Sequence, residues 1–419
     1  MNGLASLALR SLWSRRVTAL LTVFAIAVSV ALLLGVEKLR NGAREGFAAT
    51  VSGTDLIVGP RSGPLNLLLY SVFHLGEPTA SVSWSSFELV RRHPDVAWAV
   101  PLSLGDSHRG FRVMGTARGY FEHFRYGRRE PLAFSSGRAF DDLHDAVIGA
   151  AVAEALGYGV GDAIELSHGL GEVSFAPHAD HAFRVAGILA PTGTPVDRLV
   201  IVSLEAVTAI HFGWEGGARA SAAAAGGARA EQALQPERIT AFLVGMNSRP
   251  AVLQMQRALN EHRGEPLTAV LPGVALAELW RLVGVADRAL RAVAACVVLA
   301  GLLGMVATLL TGLNERRPEM AVLRAVGARP AHVFGLLALE STFLALLGVL
   351  AGAGLAWGLL AVASPMLGRH LGLSLAPGLP GAYDYAIAAA VVAAGFLAGA
   401  LPAWRAYRNS LADGLSVKV

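Results

Sequence analysis

The sequence predicts an α-helical membrane protein with four spans in a one-plus-three arrangement. A large α+β domain is inserted between spans one and two. Three observations carry this. Charged residues are 16% and hydrophobic residues 54% of the 419, whereas a soluble domain carries about 25% charged residues; the mean hydropathy is +0.50. Four stretches reach the ~20 apolar residues that cross a bilayer core: Val17–Val36, Val293–Leu313, Ala331–Val362 and Ala382–Tyr407. The residues between the first two, 37–290, alternate between short strand-like and helix-like patterns, which argues α+β.

Arginine placement sets the orientation, because basic residues accumulate on the cytoplasmic side of short loops. Arg10, Arg15 and Arg16 precede span one, Arg316, Arg317, Arg324 and Arg329 fill the loop between spans two and three, and Arg405, Arg408 and Lys418 close the chain. Only Arg369 lies between spans three and four. Segments 1–16, 314–330 and 408–419 are therefore expected in the cytoplasm, and 37–290 and 364–381 on the far side. Tyr383 and Tyr385 at one end of span four, with Trp404 and Tyr407 at the other, suit interfacial anchors. Span one is read as an uncleaved anchor: its apolar run is long for a signal peptide, and Leu34-Gly35-Val36-Glu37 is a poor cleavage site.

Within 37–290, Glu37–Val51 reads as an outward continuation of the first helix. Asp55–Val58, Asp145–Gly149, Ala163–Leu166, Ala182–Leu189 and Leu199–Val202 read as strands. Val82–His93, Ala150–Leu156 and Leu204–Ile210 read as helices. Trp214–Gln235 is rich in Ala and Gly and reads as a surface loop. Leu65, Leu68, Leu69, Val72 and Phe73 share one face at helical spacing. That face is either core or a hook touching lipid, lipoprotein or a partner.

Composition excludes several classes. The net charge of +4 is carried almost wholly by arginine and has no basic-aromatic stripe, which speaks for membrane topology rather than nucleic acid. The single cysteine, Cys296, forbids an internal disulfide. No phosphate-binding loop, zinc-protease motif or nucleophile elbow occurs, so the chain is expected to be non-catalytic and to bind no nucleotide. One metal candidate stands out: His168, His178, Asp180 and His181, in an expected loop between two strands. Three imidazoles and a carboxylate suit zinc, although His178-x-Asp180-His181 is not a standard ligand spacing; solvated loop histidines are the plainer alternative.

The segment Glu315-Arg316-Arg317-Pro318-Glu319-Met320-Ala321-Val322-Leu323-Arg324-Ala325-Val326-Gly327-Ala328 lies between spans two and three. Pro318 suits a first helical position and Glu319 the positive end of a helix. Met320 and Leu323 recur at helical spacing, Gly327 suits a left-handed cap, and Pro330 bars continuation. A short helix with an apolar edge and arginine flanks could seat in a partner's groove. An ordinary positively charged loop fits the pattern equally well. Glu340 lies nine residues into span three, roughly 13 Å along the helix. It either links that segment to a subunit seam or reaches back to water. Ala351-Gly352-Ala353-Gly354 offers small residues for close packing, as at a dimer interface.

The 314–328 segment resembles the signature of FtsX/MacB/LolC-type ABC transporter permeases, also called type VII. So does Leu401-Pro402-Ala403-Trp404-Arg405-Ala406 at the end of span four. Val147-Ile148-Gly149, Leu156-Gly157, Val160-Gly161-Asp162 and Phe183–Leu189 are similar to that family's extracytoplasmic domain. The resemblance implies a permease in the bacterial inner membrane, paired with a second copy as a homodimer and bound to two separate ATPase subunits that hold ATP and Mg. It makes Glu315, Arg316, Arg317, Glu319, Met320, Leu323, Arg324 and Gly327 the coupling helix. It further implies that ATP hydrolysis moves the periplasmic domain, acting on a lipoprotein or other periplasmic or membrane substrate. A zinc-linked transporter and a scaffold moving a periplasmic enzyme are the alternatives.

Overall fold

The computed structural model describes residues 16–168, 177–211, 214–215, 218–219, 235–315, 329–371 and 380–408. These fall into two compact units. One comprises the membrane-type helices with residues up to Asn41, from Gly284 to Ser364, and from Ala376 onward; the other is Gly42–Val283 with Pro365–Leu375.

Helices in chain order are α1 Arg16–Thr50, α2 Pro64–Ser71, α3 Trp84–Arg91, α4 Gly119–His123, α5 Ala150–Leu156, α6 Leu204–His211, α7 Arg249–Asn260, α8 Pro272–Glu315, α9 Pro330–Leu371 and α10 Ala382–Arg408. By length and composition α1, α8, α9 and α10 can each cross a membrane. At 1.5 Å per residue, the 35 residues of α1 and 44 of α8 run well beyond a bilayer core of about 30 Å. The outward continuation expected after Glu37 is therefore helical to Thr50. Its counterpart on α8 begins at Pro272, long before the expected start of span two at Val293.

The domain is built on one sheet of ten strands: β1 Leu56–Pro60, β2 Val96–His108, β3 Phe111–Thr116, β4 Phe134–Gly137, β5 Asp145–Ile148, β6 Ala163–His168, β7 Pro177–Leu189, β8 Leu199–Ser203, β9 Ala241–Met246 and β10 Leu267–Val270. Their order is β10–β1–β9–β2–β3–β8–β5–β7–β4, with β6 pairing both β7 and β2. The pairs β8–β3 and β7–β5 are parallel and the others antiparallel. The α+β expectation holds.

Central strands such as Leu199-Val200-Ile201-Val202 are apolar at every position because both faces are covered. One face carries Ile57, Val100, Leu102, Val147, Ile201 and Leu243 against α2, α4 and the first turns of α8. The other face has two patches. Leu56, Val58, Phe242 and Val244 pack under α3 and α7, and Ala146, Ile148, Val200 and Val202 pack under α5 and α6.

This architecture corrects the reading of Leu65–Phe73 as a lipid or partner face. Leu68, Val72 and Phe73 are buried in the domain core, Leu69 packs against it and Leu65 is half-buried. The cause is Gly59 on β1: a side chain there would overlap Leu67 and come within 3.0 Å of the Tyr70 hydroxyl, so its absence lets α2 lie flat on the sheet. The exposed apolar residue at the end of this segment is Leu75.

In the membrane-helix unit, α9 packs against α1 and α10 through glycines. A Cβ on Gly348 would lie 2.6 Å from Ile26 Cγ2, and one on Gly352 2.6 Å from the Ala27 carbonyl oxygen. Gly395 and Gly399 face Ala345 and Ser341 with no room for a side chain. Gly352 therefore belongs to a seam within the chain, not to a free interface. At Gly354, a Cβ would meet nothing within 4 Å among the described residues.

Candidate functional site: a charged junction among three membrane helices

Most of the sequence-predicted coupling set lies outside the described residues. Glu315 is the last residue of α8. Arg316, Arg317, Glu319, Met320, Leu323, Arg324 and Gly327 fall in 316–328, beyond what is described. Glu340 is placed, on α9, and only 3% exposed beside the fully buried Ser341. It does not reach back to water.

The described residues bring together a site that the sequence reading did not single out. It forms where the apolar runs of α1, α8 and α10 meet polar sequence. On α1 the run ends at Val36 and is followed by Glu37-Lys38-Leu39-Arg40-Asn41; on α8, Asp287 and Arg291 precede the run beginning at Val293; on α10, Asp384 sits in the first turn.

Arg40 bonds Glu37 at 2.5 Å on its own helix and Asp287 at 3.3 Å on α8. Arg291 bonds Asp287 at 3.0 Å on its own helix and Glu37 at 3.2 Å on α1. Asn41 donates to Glu37 at 3.0 Å and accepts from Arg40 at 3.1 Å. Lys38 pairs with Asp384 on α10 at 2.8 Å, and the same carboxylate oxygen accepts the Gly381 backbone N–H at 2.8 Å. Three acids thus meet three bases, and the carboxylates are the more shielded members: the Glu37 and Asp287 side chains are 9% and 13% exposed. Arg40 Nε, Arg291 Nε and Asp287 Oδ1 have no hydrogen-bond partner among the described residues.

The sequence signal was available. Glu37/Arg40 and Asp287/Arg291 are opposite charges at i,i+3 and i,i+4, which share a helix face, each at the margin of an apolar run. Chain order alone does not show that the two faces meet.

The four metal candidates are only partly placed. Their backbones lie in strands, not in the expected loop: His168 ends β6, and His178, Asp180 and His181 belong to β7. Their side chains lie outside the described residues. Among the described residues no group of three or more His, Cys, Asp or Glu side chains could hold a metal ion. His108 on β2 is already committed. Its Nδ1 meets the Glu165 carbonyl at 2.6 Å and its Nε2 the Tyr158 hydroxyl at 3.0 Å, and burial lowers its pKa.

Four membrane-length helices and a mixed-sheet domain inserted after the first define a multi-pass membrane protein with a large soluble insertion. The family model described as the MacB-like periplasmic core domain matches residues 19–236, and that of the FtsX-like permease C-terminal matches 291–411. The chain belongs to this family: it is an ABC transporter permease of the FtsX/MacB type, a class that works with a partner ATPase. Two solved structures are similar to it. The periplasmic region of MacB from Actinobacillus actinomycetemcomitans is 12% identical, with 55% of this chain and 94% of that one covered and a TM-score of 0.34. The extracellular domain of the noncanonic ABC-type transporter YknZ from Gram-positive bacteria is 13% identical, with 52% and 98% covered and a TM-score of 0.29. No curated protein matches the chain significantly.

Proposed function

We propose that this chain is a non-catalytic membrane subunit through which a separate ATPase moves the inserted domain. Both termini and the 314–330 segment face the cytoplasm of the bacterial inner membrane, and the domain faces the periplasm. Two copies form a homodimer around two ATPase subunits, which carry the ATP and Mg. The observation that carries this reading is that α1 and α8 run unbroken from their apolar spans into the inserted domain. An uninterrupted helix is stiff enough to pass a displacement at one end to the other, and kinks need a Pro, a π-bulge or a similar defect. The 316–328 segment, between α8 and α9, is where the ATPase would push. The α2 face is core and is not the surface that meets a cargo; the proposed substrate class is a lipoprotein or other periplasmic or membrane molecule.

Reversing charge at Arg316, Arg317 or Glu319 is expected to leave the complex assembled and the domain folded. ATP hydrolysis should lose its response to the permease by about tenfold, the scale of one interface anchor of about 1.4 kcal/mol. The measurement is ATPase rate with and without the permease in nanodiscs. Full stimulation by all three variants would sink the assignment of the coupling segment.

A second reading, a zinc-linked transporter, has a specific observation behind it. The β2–β6 register sets the buried Asp106 opposite His168. The β6–β7 pairing jumps from Pro177↔Ser167 to Ala182↔Glu165, so residues 178–181 bulge opposite Leu166 alone. The bulge puts the backbone of His178, Asp180 and His181 beside the end of β6, where His168 lies. Calorimetric titration of the purified chain with zinc is expected to give one site with Kd near micromolar, about −8 kcal/mol, lost in His178→Ala/His181→Ala. Equal heats for the two proteins would remove the reading.

A further inference from the structure

We infer that the charged junction is a releasable latch, built so that α1 can part from α8 and α10 while its arginines and carboxylates each keep a partner. The argument lies in how the partners are distributed. A simple interhelical ion pair leaves two uncompensated charges when it opens, a heavy penalty where they are partly buried. Here the two arginines and the three carboxylates that bridge helices each have another partner already placed. If α1 separates from α8, Arg40 keeps Glu37, its i,i+3 neighbour at 2.5 Å, and Arg291 keeps Asp287, its i,i+4 neighbour at 3.0 Å. If α1 leaves α10, Asp384 keeps the Gly381 N–H at 2.8 Å and the favourable end of its own helix.

The closed arrangement adds the crossed contacts Arg40–Asp287, Arg291–Glu37 and Lys38–Asp384. The open one retains each helix's own pair. The difference between them is small compared with that of an unsupported bridge, which is what an element that must open and close repeatedly requires. Static fastening needs no such redundancy. The geometry of that fastening is also imperfect: Arg40 Nε, Arg291 Nε and Asp287 Oδ1 are shielded without a hydrogen-bond partner among the described residues, a cost of the closed state that opening relieves.

The inference deepens the proposed transmission role by naming where the first helix lets go, and its test is made without the ATPase so that the two can fail separately. Cys296, the single and exposed cysteine, is replaced by Cys296→Ser. Spin labels are placed at Leu39→Cys and Leu290→Cys, both exposed positions beside the junction, in the full chain in nanodiscs. Two charge variants are compared with the parent. Glu37→Gln/Asp287→Asn removes the acids of the crossed pairs. Glu37→Arg/Arg291→Glu keeps opposite charges across the helices but makes each helix's own pair alike, so only the crossed contacts of the closed state offset the repulsion and the open state is disfavoured relative to it. The fraction of long label distances is expected to fall in the order neutralised, parent, swapped, with steps of about threefold. A swapped chain with a long-distance fraction equal to or above the parent's overturns the latch, and so does a neutralised chain that matches the parent. Should the neutralised chain aggregate, the swapped chain alone decides, because only a latch shortens its distances.

Discussion

Alanine at Gly149 is expected to cost the domain about 3 kcal/mol, the upper end of what overpacking does to a close-packed site. Gly149 joins β5 to α5 at φ −71°, a conformation open to any residue, so backbone strain plays no part. The obstacle is what lies beside it. A Cβ would overlap the Asp197 carbonyl group and lie 2.5 Å from the Val196 carbonyl oxygen, all main-chain atoms. That neighbouring loop cannot retreat. The Gly149 N–H donates to the Leu199 carbonyl at 2.9 Å. The Asp197 carboxylate accepts the Thr192 N–H, the Thr192 hydroxyl and the Gly193 N–H, each at 2.8 Å. Burial raises the pKa of Asp197, and these donors work against the rise. Gly159→Ala is the control, since its nearest neighbour would be 3.8 Å away. Denaturant unfolding of the two variants should separate them by the full amount; a Gly149→Ala chain within about 0.5 kcal/mol of the parent would mean that the loop yields.

How far the fold was legible follows from what each segment had to satisfy. Ala150–Leu156 was read to the residue, because a Gly before it, a left-handed Gly157 after it and a seven-residue apolar pattern all agree. The strand β2, 13 residues long and paired to three others, was missed. Val96–His108 contains Pro101 and Gly105, which demote a strand on local grounds. Only its partners β9, β3 and β6 hold it extended. The helix α7 and strands β9 and β10 were also passed over. Their alternation is short and lies beyond the low-complexity stretch, where local pattern gives little. The α2 face was read correctly as apolar and helical, but a sequence cannot distinguish an apolar face turned to a sheet from one turned to a membrane. The charged junction needed the same missing knowledge: its two intrahelical pairs are visible in the chain, and their meeting across α1 and α8 is a tertiary fact. The histidines were placed in a loop because Gly169 and Gly171 interrupt the pattern, yet β7 begins as early as Pro177.

Leucine at Gly352 is expected to break the membrane-helix unit, whereas leucine at Gly354 should leave it intact. The two glycines are two residues apart in one run of small residues, and composition treats them alike. On a helix they point to different faces. A Cβ at Gly352 would lie 2.6 Å from the Ala27 carbonyl oxygen, 2.8 Å from Val30 Cβ and 3.1 Å from Ala27 Cα. Val30 is fully buried, and Gly348 one turn earlier makes the same close approach to Ile26. Between membrane helices such backbone approach supplies the packing that water-driven burial cannot. A leucine wedged there separates α9 from α1 at a cost of about 3 kcal/mol, read as a loss of thermal stability of the purified chain. At Gly354 nothing is met within 4 Å among the described residues, and a lipid-facing leucine is favourable there. Gly354→Leu should therefore match the parent in thermal stability. If that face is where a second copy docks, the same variant should run as a monomer. Loss of thermal stability at Gly354 with none at Gly352 would invert the seam assigned to α9 and return the small residues at 351–354 to an interface between copies.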